Sequence, residues 1–331
     1  MFKIDLAIKF GSNEISIYQK NFGIVSKQPA YLAVDETGRT IKVKAIGKEA
    51  EKLFMSKGSN ITVYQPMQNG EIENEKMLTM LLSEMIKQVL PKTWFFRYVT
   101  ALVAVPCATN VNQLKTIKKI LNLAGVGKVT FVQNGVCVRA NLDLDLQEHV
   151  MIVDIGKNTT DISVLNSFSF DFGRTYYIGG EDMDKCLTSF IQDNHNLTVS
   201  DLSSESIKRE IASLYDRDTY KTEYIGIDDQ NKLRRRDISA SEVKVAIVNV
   251  YDKIFNLIQE VLKELPNEII ADIYKNGVVF VGGSSKIAGL YEYAKKKLDI
   301  PITISEEAVD NVIIGAGKLL NEGKDFIKIK F

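Results

Sequence analysis

Residues 153–164 read VDIGKNTTDISV, and residues 8–17 read IKFGSNEISI. Both stretches are an apolar strand, a glycine turn that includes an asparagine, an acidic residue, and then Ile-Ser followed by a β-branched residue. A chain with the same β-hairpin near the start of each half reads as a duplicated architecture. A glycine turn between strands lets backbone N–H groups converge with no Cβ in the way. Neighbouring hydroxyls add donors, which is how a short loop cradles phosphate oxygens. Two facing copies would grip a phosphate chain between two domains. The same residues also suit a pair of ordinary hairpin turns, where Asn and Gly are common.

Away from these hairpins, strand-like runs alternate with helical patterns. TALVAVP (100–106) precedes NVNQLKTIKKILNLAG (110–125) and VTFV (129–132), and NGVVFV (276–281) precedes IAGLYEYAKKKL (287–298). Strands separated by helices of this length predict an α/β protein with parallel sheets covered on both faces. Between Ser239 and Leu265, apolar residues at 243, 247, 250, 254, 257, 258, 261 and 265 keep helical spacing and predict one long amphipathic helix. Two regions, about 28–75 and 178–240, are more strand-rich or more polar than their surroundings and read as insertions on the core sheets.

The chain has 331 residues, 45% hydrophobic and 25% charged, a length that suits two domains. Lys plus Arg and Asp plus Glu number 42 each, so no basic footprint for nucleic acid exists. Cys107, Cys137 and Cys186 are widely spaced, and His149 and His195 are the only histidines. That composition argues against a disulfide framework, a Cys/His zinc site and a Ser-His-Asp triad. The amino-terminal MFKIDLAIKFGSNEI carries charges at positions 3, 5 and 9, unlike a signal peptide. No run approaches the roughly 18 apolar residues of a membrane span. A reduced, cytoplasmic protein is expected.

A third element adds weight to the phosphate reading. VVFVGGSSKIAGL (278–290) is a buried strand ending at Gly282 and Gly283, with Ser284 or Ser285 placed to cap a following helix. Its spacing from the two hairpins, with IIGAGKLL (313–320) after it, resembles the five-motif signature of the actin-like ATPase superfamily. Within that superfamily the chain is similar to the bacterial actin family MreB. The supporting stretches are FGIVSKQPAYLAVD (22–35), AIGKEAEKL (45–53), YQPMQNGEI (64–72), IGGEDMDKCL (178–187), ESIKREIASL (205–214) and PNEIIADIYKNGVVFVGG (266–283).

The resemblance implies an actin-like fold of two duplicated α/β domains, each with a smaller inserted subdomain, closing on ATP or ADP with Mg2+ in a cleft between them. Domain I would span 1–143 plus 313–331, with its insertion at about 28–75. Domain II would span 144–312, with its insertion at about 178–240. The resemblance also implies self-association into protofilaments, contact with other MreB paralogues, and a cytoskeletal place at the inner face of the cell membrane.

Carried residue by residue, the resemblance makes Gly11, Ser12 and Asn13, with Glu14 following, the first phosphate loop. Asp154, Gly156, Lys157, Asn158 and Thr159 become the second. Asp154 also takes the family's catalytic Asp position and would face Mg2+. Glu205 and Lys208 match a pair that contacts ribose and base, and Gly282, Gly283, Ser284, Ser285 and Lys286 match the adenosine loop. Without the resemblance, Glu205 and Lys208 at i and i+3 of a helix would read as a surface ion pair worth about 0.5 kcal/mol.

Three departures bear on chemistry. The family's first loop reads Asp-x-Gly-Thr, and Lys9 stands where that Asp belongs. Its connecting helix begins Glu-Glu-Pro, the Glu before the Pro positioning the attacking water; here the stretch is VQNGV (132–136), with Asn134 at the catalytic position. An amide orients a water by hydrogen bonds but does not act as its base. Lys157 and Asn158 replace glycines in the second loop. Acidic groups that manage metal and water are lost, and two lysines are gained. A Lys about 4 Å from a phosphate gains on the order of 4 kcal/mol at an effective dielectric of about 20, before desolvation. Nucleotide binding is therefore expected to survive with a reduced part for Mg2+. A missing positioning or basic group costs typically 10²- to 10⁴-fold, so hydrolysis is expected to be very slow unless Asp154 and Asp161 suffice for it.

PKTWFFRYV (91–99) sets Trp94, Phe95 and Phe96 between Lys92 and Arg97. Three adjacent aromatics cannot all face one core, and the position matches the short hydrophobic loop by which MreB proteins touch the bilayer. The alternative is that they pack under a neighbouring loop. Rival functions are a non-polymerising regulator of active MreB paralogues, a superfamily kinase, which would need a catalytic Asp where Lys9 and Asn134 stand, and a chaperone-type ATPase, whose extra substrate domain is not expected within this length.

Overall fold

The computed structural model describes residues 2–11, 14–54, 61–68, 71–90, 97–142, 148–215, 219–322 and 327–329. The chain forms two compact units, one of Met1–Asp145, Ser167–Gly173 and Asp310–Phe331, the other of Leu146–Asn166 and Arg174–Val309.

The first unit is built on a five-stranded sheet in the order Lys128–Gln133, Arg97–Val105, Phe2–Phe10, Glu14–Gln19, Gly23–Pro29. The second is built on a sheet in the order Ile302–Ile304, Val278–Val281, Val150–Ile155, Thr160–Leu165, Phe170–Tyr176. In each, a hairpin is antiparallel and its first strand pairs on the other side with a parallel strand reached through helices. The outermost parallel strands follow the same rule. The two sheets thus share one topology, which is the duplication anticipated from the hairpins. They differ from the expectation of parallel sheets in being mixed, because a tight glycine turn can only join antiparallel neighbours.

Local sequence explains the helices that cover these sheets. Asn74 caps Glu75–Val89, its side chain accepting from the Met77 amide at 3.0 Å. Asn110 and Gln113 form a reciprocal capping box at the head of Val111–Leu123. Leu78, Leu81 and Leu82 of the first of these helices are buried in the same hydrophobic core as Leu6, Ile8, Ile15 and Ile17 of the first hairpin. The long helix is Ala240–Glu264, opened by a Ser239–Glu242 capping box. It buries Val243, Ile247, Val250, Ile254, Ile258 and Val261 as its spacing requires, with Tyr251 and Phe255 added. Leu257, counted in the stripe, is only half-buried.

Within 28–75 lie a three-stranded sheet (Lys42–Ile46, Leu32–Asp35, Thr62–Tyr64) and the helix Gly47–Phe54. Within 178–240 lie the helices Gly180–His195 and Asp201–Ile211 and a hairpin of Lys221–Ile227 with Leu233–Ser239. In the first unit the helices Asn134–Asn141 and Asn311–Glu322 cross closely. Asn141 Nδ2 donates to Asn311 Oδ1 at 3.0 Å, and Lys318 Nζ to the Asn141 carbonyl at 2.5 Å. Among the described residues no helix is long and apolar enough to cross a membrane.

Candidate functional site

The two glycine turns are the same object. The Gly11 N–H donates to the Glu14 carbonyl at 2.8 Å, and the Gly156 N–H donates to the Thr159 carbonyl at 2.8 Å. Below each turn the strands pair in the same way, Phe10 with Ile15 and Lys9 with Ser16 in one, Ile155 with Thr160 and Asp154 with Asp161 in the other. Lys9 therefore holds the place of Asp154. The second strands correct the sequence comparison, which matched Glu14 to Asp161. In the folded chain Glu14 corresponds to Thr159, and Ser16 to Asp161. A shift of two residues keeps every side chain on its face, so the Ile-Ser pattern matched in the wrong register. Ser12 and Asn13 lie outside the described residues, as do Trp94, Phe95 and Phe96.

The second turn is seated on a helix start. The Gly180 N–H donates to the Gly156 carbonyl at 3.0 Å and the Glu181 N–H to the Lys157 carbonyl at 2.7 Å. Ser284 Oγ also donates to the Gly156 carbonyl, at 3.2 Å. A Cβ on Gly179 would lie 2.7 Å from the Lys157 carbonyl oxygen and 2.8 Å from that of Gly156, so only glycine allows this approach. Gly282 is a second such position. At φ +89 it occupies a backbone region that L side chains avoid, and a Cβ there would strike Asp154 Oδ1 and the Ile155 carbonyl. The strand Val278–Val281 thus ends against the carboxylate at the base of the turn. Asp161, buried, accepts a hydrogen bond from Thr175 Oγ1.

Neither Ser284 nor Ser285 caps a helix, contrary to expectation. Gly283–Lys286 is a single 3-10 turn without a side-chain cap, and Ser285 Oγ donates back to the Gly282 carbonyl at 2.7 Å. Ser284 is spent on the second turn, and its own carbonyl accepts from the Tyr251 hydroxyl at 2.7 Å. Lys286 is exposed. The following α-helix, Leu290–Lys297, opens on Gly289.

Glu205 and Lys208 share the helix Asp201–Ile211 but do not serve each other. Glu205 Oε2 lies 2.8 Å from Lys157 Nζ, and its Oε1 lies 2.6 Å from an Arg209 nitrogen. Lys208 Nζ lies 2.7 Å from Asp184 Oδ1 and donates to the Gly180 carbonyl at 2.6 Å. Asn158 Nδ2 donates to the Glu181 carboxylate. Burial pushes the Glu205 carboxyl up, but the Lys157 hydrogen bond, with the charges of Lys157, Arg209 and Lys208, more than offsets this and holds it below the ordinary glutamate range. Glu205 is therefore a carboxylate at neutral pH. Asp184 differs: burial lifts its carboxyl, and Lys208 offsets this only in part. The sequence reading passed over Asp184. Its signal was a carboxylate on the buried stripe of Gly180–His195 that includes Met183, Leu187 and Ile191, where an acid stays only if paired.

In the first unit, Asn134 is buried at 8% exposure and is the first residue of its helix, after Gln133, whose side chain makes no cap. Lys9 is felt one turn further on: burial raises the Cys137 thiol's pKa strongly, and the Lys9 charge opposes it. Among the described residues no group of three or more His, Cys, Asp or Glu is arranged to hold a metal ion.

The chain as a whole has known counterparts. The cell shape-determining protein MreB of Escherichia coli (strain K12) is 26% identical over 328 residues, covering 97% of this chain and 94% of that protein. MreB 5 of Spiroplasma citri, solved bound to AMPPNP, matches with a TM-score of 0.88 at 21% identity, over 98% of this chain and 97% of that one. MamK, solved as a double helical filament, matches with a TM-score of 0.81 at 21% identity, over 96% of this chain and 98% of that one. The fold is thus actin-like. With the family's model, described as MreB/Mbl protein, matching residues 3–328, the chain belongs to the MreB/Mbl family.

Proposed function

We propose that this chain is an adenine-nucleotide-binding cytoskeletal protein that assembles into filaments and hydrolyses ATP very slowly. The observation that carries this reading is the pair of equivalent glycine turns, with Lys9 in the place that Asp154 holds in the other copy. Lys9, Gly11, Ser12, Asn13 and Glu14 form the first phosphate loop in this reading, and Asp154 through Thr159 the second. Glu205 and Lys208 take the ribose and base, and Gly282–Lys286 approaches the adenosine. AMPPNP in the Spiroplasma citri relative supports adenine nucleotide as the ligand.

The catalytic side is the weak one. Asn134 holds a water without deprotonating it, and Asp161 is engaged by Thr175. Asp154 is the carboxylate that would face Mg2+ in this reading, an ion that keeps most of its shell from water and phosphate and so needs few protein ligands. Binding of ATP or ADP with and without magnesium, followed by single-turnover release of phosphate on the same sample, tests the reading. Tight binding, only modestly dependent on magnesium, with almost no release is expected. Release at the rate of an MreB that keeps both acidic residues would overturn the slow-hydrolysis part, and absence of binding would overturn the whole.

The MamK filament supports self-association, and Trp94, Phe95 and Phe96 flanked by Lys92 and Arg97 support contact with the inner membrane face. Burying each ring contributes roughly 1.5–3 kcal/mol at most, so a monomer attaches weakly and a filament does the anchoring. A role in cell shape or motility, alongside other MreB paralogues, follows from that placement. Sedimentation with nucleotide should pellet the chain alone, and anionic liposomes should increase the pellet. Replacing Trp94, Phe95 and Phe96 with Ser should abolish only the increase. A chain that stays in the supernatant under all nucleotide states would instead be a non-polymerising regulator.

A further inference from the structure

The second turn carries a lysine, and that lysine is not spare. Lys157 Nζ reaches the Glu205 carboxylate at 2.8 Å, and Arg209 takes the other oxygen at 2.6 Å. The Glu205 side chain is 17% exposed and that of Lys157 31%, so the pair is substantially screened from water. Both carboxylate oxygens are thus occupied by cations at the residue assigned to ribose. The pair joins the phosphate-loop turn to the ribose helix.

We propose that Lys157 is a specificity-determining residue that makes the site select phosphorylated adenine nucleotides over adenosine, by an exchange of partners. The proposal rests on the nucleotide reading given above. A ribose hydroxyl is a neutral donor, and its hydrogen bond to a carboxylate is weaker than the one an ammonium already makes. Adenosine alone therefore has to displace Lys157 from Glu205 and offers it nothing in return. A nucleotide with a β-phosphate brings the replacement anion, because Lys157 sits on the turn that receives the phosphates. Ribose takes Glu205 while phosphate takes Lys157, and one ion pair is traded for another. Arg209 stays on the second oxygen and keeps the carboxylate oriented. A glycine at 157 lacks this exchange and would leave Glu205 open to any adenosine compound.

The test is the affinity of the intact chain for adenosine, AMP and ADP, measured by calorimetry for the wild type, Lys157→Ala and Lys157→Arg. Lys157→Ala is expected to bind adenosine about tenfold more tightly and ADP about tenfold more weakly, each corresponding to one charge-assisted hydrogen bond. Lys157→Arg, which keeps a cation able to pair with either anion, should retain the wild-type preference. A loop lysine with a purely structural role would move both affinities in the same direction, and that result overturns the proposal. So does an unchanged ratio of adenosine to ADP affinity. Failure of the wild type to bind ADP would overturn the nucleotide reading itself, an outcome distinct from ADP binding with an unaltered preference.

Discussion

Single-turnover hydrolysis of ATP should rise about 10²-fold or more when Asn134→Glu is combined with Lys9→Asp. Asn134 is the first residue of the helix Asn134–Asn141 and is buried. Its amide accepts and donates hydrogen bonds but has no basicity near neutral pH, so a water held there keeps its proton. A carboxylate supplies the base and gains from the helix amino terminus, where negative charge is favoured. The second change is needed because Lys9 occupies the strand position that Asp154 holds in the duplicated hairpin. Its charge is already felt at Cys137 in the same helix. With Lys9 retained, the new carboxylate would pair with the ammonium and lose basicity, so Asn134→Glu alone should give the smaller gain. The pair of changes should therefore act more than multiplicatively. ADP affinity measured alongside separates chemistry from binding. A folded, ADP-binding double variant with unchanged phosphate release would show that these positions do not limit turnover.

The contrast between Lys9 and Asp154 was readable because a glycine turn fixes its own register. Gly11 and Gly156 mark the turns, and the last strand residues before them could be aligned by counting. Beyond the turn the reading failed by two residues, since period-two alternation is blind to a shift of two. Helical spacing placed the helices at 110–125 and 239–265, while the capping boxes at Asn110 and Ser239, equally local signals, went unread. Partners across the fold were not local. Helix spacing alone would have paired Glu205 with Lys208, but Lys157 and Asp184 come from other elements and win. An exposed i,i+3 pair is worth only tenths of a kcal/mol, too little to hold against a partly buried partner. Ser284 failed as a predicted cap for the same reason: the Gly156 carbonyl, reached only through folding, is its partner.

Gly315→Ala should destabilise the first unit by about 3 kcal/mol, at the upper end for an overpacked core position. Within IIGAGKLL the sequence marks two glycines without ranking them, and the structure does rank them. A Cβ at Gly315 would run into the Cys137 carbonyl oxygen and carbon, which are helix backbone and cannot rotate away. A Cβ at Gly317 would meet the Tyr18 ring, a half-buried side chain that can swing aside at the cost of the hydrogen bond its hydroxyl accepts from Asn321 Nδ2 at 3.1 Å. Alanine is the better helix former by about 1 kcal/mol, so the clash at 315 has to exceed that gain to show at all. It does so because the two helices are already locked. Asn141 bonds to Asn311, which is fully buried, at 3.0 Å, and Lys318 reaches the Asn141 carbonyl at 2.5 Å. Moving the helices apart to admit a methyl group breaks or stretches both bonds, and a buried amide left without its partner costs about 1–3 kcal/mol. Urea unfolding followed by circular dichroism should place the Gly315→Ala midpoint well below wild type, with Gly317→Ala much closer to it. Equal midpoints for the two variants would mean that the crossing has slack the structure does not show. The helix that Gly315 packs against is the one that begins at Asn134, so even a Gly315→Ala chain that folds should respond less to Asn134→Glu than the wild-type background does.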